Sequence, residues 1–406
     1  MKNFSLAHSV LLQILENNVS FSLAIRNAFN DEKNKTLIRS DISSLVGCSL
    51  RHYLVFTDII KTRYENLDNS QIIYLLLALS NALFIKLEDI KKVNKELARL
   101  SHIDDLDEFV SSIDPHHLID ENKHPLNSNE WCSLYFNTPT WLVKMWRKHY
   151  GDNFTSRILR ANNKKATKFY LEKEGEHFDD RFAPTAIPNV FKYIAEQPLK
   201  NRDELLPATP AMQYALNEMD IDPLRGLTIY SEVTSNLLYH LSKYLNSYSK
   251  ADFLCGSSNA FFETKRLVRH LGLHKVDIYE VQSSGFITVM SAPVHTLIVM
   301  PNNSLFSSLR SRPEFFLRIK QDELDGLIAH EYQVLLDAKD YVEEGGDLLY
   351  IIETISNKEG HGNIEKFLKE NGEQFTLKDE KQFFPCNSSE SSLYFAILHR
   401  RGSADD

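Results

Sequence analysis

The spacing of apolar positions changes twice along this chain. Up to about residue 112 they recur at helical intervals: Phe4, Ala7, Val10, Leu11, Ile14 and Leu15 form one stripe, and further runs cover 37–63, 71–86 and 88–99. Leu75, Leu76, Leu77, Leu79, Leu83 and Phe84 are so crowded that their helix is expected to be buried on most sides, at the centre of a bundle. The polar stretch from Ser111 to Asn129, with Pro115 and Pro125, reads as a linker. Residues 131–245 are mixed. A helix is expected from Pro139 to His149, opened by Thr138 and broken by Gly151, with a second at 153–161. Short strands are expected at 168–171 and 227–230, and a helix at 233–246. From about residue 250, strands at 252–255, 275–279, 285–290, 295–299, 347–352 and 392–398 alternate with helices at 262–271, 321–340 and 361–370. That alternation predicts an α/β sheet, closed at one edge by a hairpin through 385–390. Three domains follow: helical over 1–125, small and α+β over 130–245, and α/β over 246–406.

Composition narrows the class. Apolar residues at 43% and charged residues at 25% sit in the globular range. Cys48, Cys132, Cys255 and Cys386 are far apart, without zinc-ligand spacing or a disulfide framework, so a reducing cytoplasm is the expected setting. No run is long and apolar enough to predict a membrane span, and the N-terminal segment lacks the pattern of a secretory signal. Net charge is −9, yet residues 131–175 carry nine Lys or Arg against Asp152, Glu172 and Glu174. Such a segment suits local contact with a polyanion rather than a broad electrostatic footprint.

Several short motifs, in order, carry a resemblance. These are PTWLVKMW at 139–146, YG at 150–151, ANN at 161–163, GLTIYSEVTS at 226–235, RHLG at 269–272, SLFSSLRSRPE at 304–314, EGGDLLY at 344–350 and TISNKEG at 354–360. Together they resemble the bacterial 16S rRNA cytosine-5 methyltransferases of the Sun/RsmB type over nearly the whole chain. The resemblance implies a NusB-like helical domain, a small α+β middle domain and a Rossmann-like methyltransferase-type domain. It also implies S-adenosylmethionine as cofactor and two cysteines for the chemistry. One thiolate adds to C6 of cytosine so that C5 can take the methyl group, and the other assists elimination.

The chain departs from that family at each working position. Laid along the family's cofactor loop, FLCGSSNAFF at 253–262 replaces its glycines by Asn259 and Ala260 and its lysine by Phe261, and Phe253 replaces an acid. The interval from Phe262 to RHLG is too short for a further strand, so the second strand and its ribose-binding acid are expected to be deleted, leaving a reduced sheet. Met300 falls at the active-site acid, Asn303 at one cysteine and Ile355 at the other. Phe253, Phe261, Phe262, Phe306, Phe315 and Phe316 are expected to fill the vacated cleft. Cys255 reads as a core thiol and Cys386 as an exposed one. His295, His330 and His361 read as ordinary histidines, and no metal-ligand pattern occurs.

The resulting expectation is a pseudoenzyme: no catalytic, cofactor or metal residues, and a monomer that binds rRNA, a ribosomal particle or a protein partner. Lys144, Arg147, Lys148, Arg157, Arg160, Lys164, Lys165 and Arg310 are the expected RNA contacts, with Trp141 and Trp146 either stacking or buried. No DNA specificity and no membrane contact are expected. Two alternatives stand beside this reading. One is a divergent S-adenosylmethionine-dependent rRNA methyltransferase; the other is a transcription or ribosome-assembly factor acting through the NusB-like domain, whose acidic balance suits a protein partner.

Overall fold

The computed structural model describes residues 2–164, 166–173, 175, 177–197, 199, 205–219, 221–222, 224–234, 236–245, 250–281, 290, 292–318 and 320–402. They form two compact units.

The first unit comprises Met1–Asn163 and a returning segment, Ser308–Gln321. Its helices are α1 (Lys2–Asn17), α2 (Phe21–Asn30), α3 (Arg39–Arg51), α4 (Tyr53–Lys61), α5 (Asn69–Ser80), α6 (Ile90–Ser101), α7 (Leu106–Ser112), α8 (Asn129–Tyr135) and α9 (Thr140–Asn162). α5 is the apolar centre expected from its leucines. Leu75, Leu76, Leu77 and Leu79 are all fully buried, and a capping box between Asp68 and Gln71 fixes where the helix starts. α9 kinks at Gly151, whose φ of 72° is where a side chain is disfavoured. Thr138 does not cap α9; its hydroxyl donates to Phe136 O, and Pro139 occupies the cap position. The returning segment packs within the unit: Phe21 N–H donates to Glu314 Oε1 at 3.2 Å, and the Phe316 ring lies 5.6 Å from that of Tyr53.

The second unit, Lys164–Ser307 and Asp322–Asp406, holds two sheets. The smaller comprises β1 (Phe169–Leu171), β2 (Phe182–Pro184), β3 (Val190–Tyr193) and β4 (Leu206–Ala208), in the order β2-β3-β1-β4. The larger contains β5 (Leu227–Ser231), β6 (Ala251–Cys255), β7 (Val276–Glu280), β8 (Val294–Met300), β9 (Val342–Ile352), β10 (Phe375–Phe383) and β11 (Leu393–Arg400). Its order is β10-β11-β9-β8-β5-β6-β7, parallel from β7 to β9 and antiparallel through β11 and β10. The helices of this unit are α10 (Pro210–Glu218), α11 (Leu237–Leu245), α12 (Ser258–His270), α13 (Gln321–Lys339) and α14 (Asn363–Asn371).

Alternation along the central strands separates two cores. Ile229, Phe253, Cys255, Ile298, Met300, Leu349 and Ile351 face one side, whereas Tyr230, Leu254, Leu297, Val299, Leu348 and Tyr350 face the other. A sheet covered on both faces buries its inner strands on both sides, and LTIYS and TLIVM are buried throughout, with only Thr228, Ser231 and Thr296 polar among them.

One sequence expectation changes here. The expected strand deletion does not occur, because Phe253–Cys255 belongs to the second parallel strand and Leu227–Ser231 to the first. α8 and α9 belong to the helical unit, and β5 lies at the centre of the large sheet. The strand expected at 285–290 lies outside the described residues apart from its last residue, Met290.

Candidate functional site

Strand order locates the site. From β5 the chain moves outward to β6 and β7, then crosses to β8 and β9 on the other side, so its direction reverses between β5 and β8. In open α/β sheets, ligands bind in the crevice outside the carboxyl ends of the strands at such a reversal. Here that edge consists of Ser231–Thr234 after β5, Gly256–Ser258 after β6, and Pro301–Ser304 after β8.

Glu232 occupies this edge. Its N–H donates to Met300 O at 3.0 Å, continuing the β5–β8 ladder by one residue. Its side chain is only 5% exposed, and the carboxylate accepts from the Tyr230 hydroxyl (2.5 Å), Asn302 N–H (2.6 Å) and His330 Nε2 on α13 (2.6 Å). Three donors satisfy the hydrogen-bonding capacity that burial would otherwise leave unmet. Burial, and then the neighbouring Glu232, push the Tyr230 hydroxyl far up, so it stays a donor. Ser257 caps α12 at Ala260 N–H and donates to Glu232 O at 2.9 Å, fastening the β6 loop to the β5 loop.

A second carboxylate system lies beside the first. Glu359 accepts from Ser304 N–H, Ser304 Oγ and Thr354 Oγ1, each at 2.8 Å. Glu331, which follows His330 on α13, is fully buried, accepts from Asn363 Nδ2 at 3.2 Å, and lies beside Glu359. Burial, then the charge of Glu359, raises the Glu331 carboxyl well above the ordinary glutamate range. Adjacent residues of α13 thus reach the loops after β5 and, through Glu359, those after β8 and β9.

The positions expected to lack catalytic groups are structural. Asn303, 5% exposed, donates to Pro301 O and accepts from Leu305 N–H, while Ile355 and Met300 are fully buried. Cys255 is buried at the end of β6, its thiol pushed up to about 11 by burial, so it is not a thiolate nucleophile at neutral pH. The six phenylalanines do not converge on the crevice. Phe253 points into a core, Phe262 is 65% exposed, and Phe315 and Phe316 belong to the helical unit. A carboxylate fills the space instead. Its sequence signal was an acid directly after the apolar run LTIYS; His330, read as ordinary, is its partner. His295 pairs with Glu343 and His361 with Glu380, both away from this edge. Among the described residues no His, Cys, Asp and Glu group is arranged to hold a metal ion.

The expected RNA contacts fall in different places. Lys144, Lys148, Arg157 and Arg160 are exposed on α9. Arg147 is engaged internally, donating to Asn129 Oδ1 and Asn127 O at 2.7 Å each and meeting Asp152 at 3.1 Å. Lys164 is exposed just beyond the helix, Arg310 is half-buried on the returning segment, and Lys165 lies outside the described residues. Trp146 is fully buried, a core residue of the helical unit rather than a stacking platform, and Trp141 is half-buried.

No family model matches this chain, and no curated protein matches it significantly. Solved structures do. The crystal structure of PH0851 superposes with a TM-score of 0.75 over 98% of this chain and 99% of its own, at 16% identity. A methyltransferase homologue from Pyrococcus horikoshii gives 0.54 at 13% identity, covering 66% of this chain and 97% of that one. NSun6 from Pyrococcus horikoshii with SFG gives 0.52 at 11% identity, covering 65% and 98%. At these identities the likeness establishes the fold: a helical bundle followed by a methyltransferase-like, Rossmann-type α/β domain with an open sheet. No helix among the described residues is long and apolar enough to cross a membrane.

Proposed function

We propose that this chain is a non-catalytic, methyltransferase-like protein of the Sun/RsmB type, a cytoplasmic monomer that binds RNA or a ribosomal particle. The observation carrying this reading is the Glu232 carboxylate, buried in the crevice of the sheet and held by Tyr230, Asn302 and His330. S-adenosylmethionine would have to seat its ammonium and sulfonium here, but three of the about four acceptor positions of the Glu232 side chain are already taken by Tyr230, Asn302 and His330. The Cys255 thiol, raised by burial, supports the same conclusion. Exposed Lys144 and Lys148, four residues apart, and Arg157 and Arg160, three apart, form short basic stripes on α9 suited to phosphates. Calorimetric titration with S-adenosylmethionine tests the first part: no heat is expected, and one-to-one binding at micromolar concentration overturns it. Reversing Lys144, Lys148, Arg157 and Arg160 to Glu tests the second, with loss of RNA retention expected.

An active methyltransferase is the second reading, favoured by one observation: the parallel strand expected to be deleted is present. The calorimetric result separates the two. A protein partner docked on the acidic helical unit accounts equally for a scaffold without chemistry, and it predicts capture that the α9 reversals leave unchanged.

A further inference from the structure

α12 carries an exposed basic face. Its inner face, Ala260, Thr264, Leu267 and Val268, is buried. Its outer face presents Phe262, Lys265, Arg266, Arg269 and His270, all exposed. Residues 262–275 hold four Lys or Arg against the single Glu263, a net +3 in a chain of net −9. Phe262, 65% exposed, opens this segment one turn before Arg266. At helical spacing, Phe262, Arg266 and Arg269 (i, i+4, i+7) share one stripe. A bundle of cations is ordinarily a solvated face, and a single exposed ring is common on any surface; this face combines the two beside a groove.

The face continues into a groove of about 690 Å³ between α12 and the small sheet, where Lys168, Tyr170, Tyr239, Arg266 and His270 are among the wall residues. Arg266 also lines a smaller adjoining pocket of about 200 Å³ beside Val233 and Thr234. Arg266 is held by Glu263 at 2.7 Å, which fixes its guanidinium at the lip of the groove.

We infer that this face of α12 and its groove bind a single-stranded nucleic acid segment. Phe262 offers a ring on which an unpaired base stacks, while Lys265, Arg266, Arg269 and Lys168 meet successive phosphates along the groove. A duplex hides its bases in the stack and cannot use Phe262, which sets the preference for a single strand. An acidic peptide would satisfy the cations but leaves the ring without a stacking partner. The surface is separate from α9, which lies in the other unit, so either can fail without the other.

The test is fluorescence anisotropy of the full-length protein with a labelled single-stranded oligouridylate of ~12 nucleotides, against an RNA duplex of similar length. Phe262→Ala is expected to weaken single-strand binding about tenfold and leave duplex binding unchanged. Arg266→Ala with Arg269→Ala is expected to flatten the dependence of log K on log salt by about 1.4, the value for two lost phosphate contacts. All three side chains are exposed, and thermal melts followed by circular dichroism confirm that each variant folds. Three outcomes overturn the inference: single-strand binding that none of these variants weakens, binding lost only in the α9 reversals, and a face that captures an acidic peptide but no oligonucleotide.

Discussion

His330 donates to the Glu232 carboxylate at 2.6 Å, joining the middle of a long helix to the end of the sheet's first parallel strand across 98 residues of sequence. The imidazole is about one-third exposed and the carboxylate almost wholly buried, so the pair closes the crevice from the solvent side. Replacing His330 by Ala leaves the carboxylate only Tyr230 and Asn302 as donors. The expected cost is about 1–3 kcal/mol of stability, read from urea unfolding curves. Replacing Glu232 by Ala frees three donors at once and is expected to cost at least as much; an unchanged midpoint in both would remove the pair from the account of this site.

Gly256 follows β6 where the crevice is tightest. A Cβ there would lie 2.6 Å from Glu232 Cγ and 2.7 Å from Tyr230 Oη. Gly256→Ala should therefore destabilise by about 1–3 kcal/mol through overpacking. Combining it with Glu232→Ala should recover part of that loss, because the clash partner is gone. Simple additivity of the two would show that they do not touch.

Glu331 titrates far above its ordinary value of 4.5 because it is buried beside Glu359. A carboxyl whose pKa is raised on folding costs nothing below its unfolded value, where both states hold the proton. It costs progressively more as pH rises above that value, because the unfolded chain releases the proton first. Glu331→Gln keeps a donor toward Glu359 without the titration. The variant should gain on the wild type between pH 5 and pH 8, in urea unfolding at the two pH values. A stability difference that stays constant with pH would mean that Glu331 is ionised in the folded protein.

Thiol labelling checks the burial of the cysteines. Burial pushes Cys48 and Cys255 up to about 11 and raises Cys132, while Cys386 lies in a partly exposed turn. Ellman's reagent should find a single fast thiol in the native protein and all four after unfolding, and Cys386→Ser should abolish the fast phase. Fast labelling of Cys255 would reopen its candidacy as a nucleophile.

The helical half was legible because its signal is local. A 3.6-residue stripe and the leucine-dense run at 75–79 report burial without reference to distant residues, and α3 to α6 lie where the spacing put them. Strand rank is not local. Leu227–Ser231 was visible as an apolar run, but its turn, Glu232–Val233–Thr234, contains no glycine, whereas Cys255 is followed by Gly256. The Leu254–Cys255 pair, which fits the family's loop sequence, sets the cofactor-loop comparison on the second parallel strand and makes an intact strand look deleted. The site was hidden for a related reason: Glu232 with His330, and Glu331 with Glu359, are brought together only by sheet order and helix packing. Composition marks Arg147 together with Lys144, Lys148, Arg157 and Arg160, because it does not register the partners Asn127, Asn129 and Asp152 that engage Arg147. The equally basic face of α12 drew no attention, since its charges interleave with apolar residues of a buried stripe.

The helical unit is not one stretch of chain. Its last piece, Ser308–Gln321, is encoded far downstream of Asn163 and carries Glu314 and Phe316 back to Phe21 and Tyr53. A ribosome making this protein therefore emits α1 to α9 long before their unit can be completed. The bundle must persist as an unfinished body while most of the large sheet is still unsynthesised. Any fragment ending near residue 125 or 163 captures that nascent state rather than the finished unit, so surface substitutions in the full chain are the sounder way to dissect its partners.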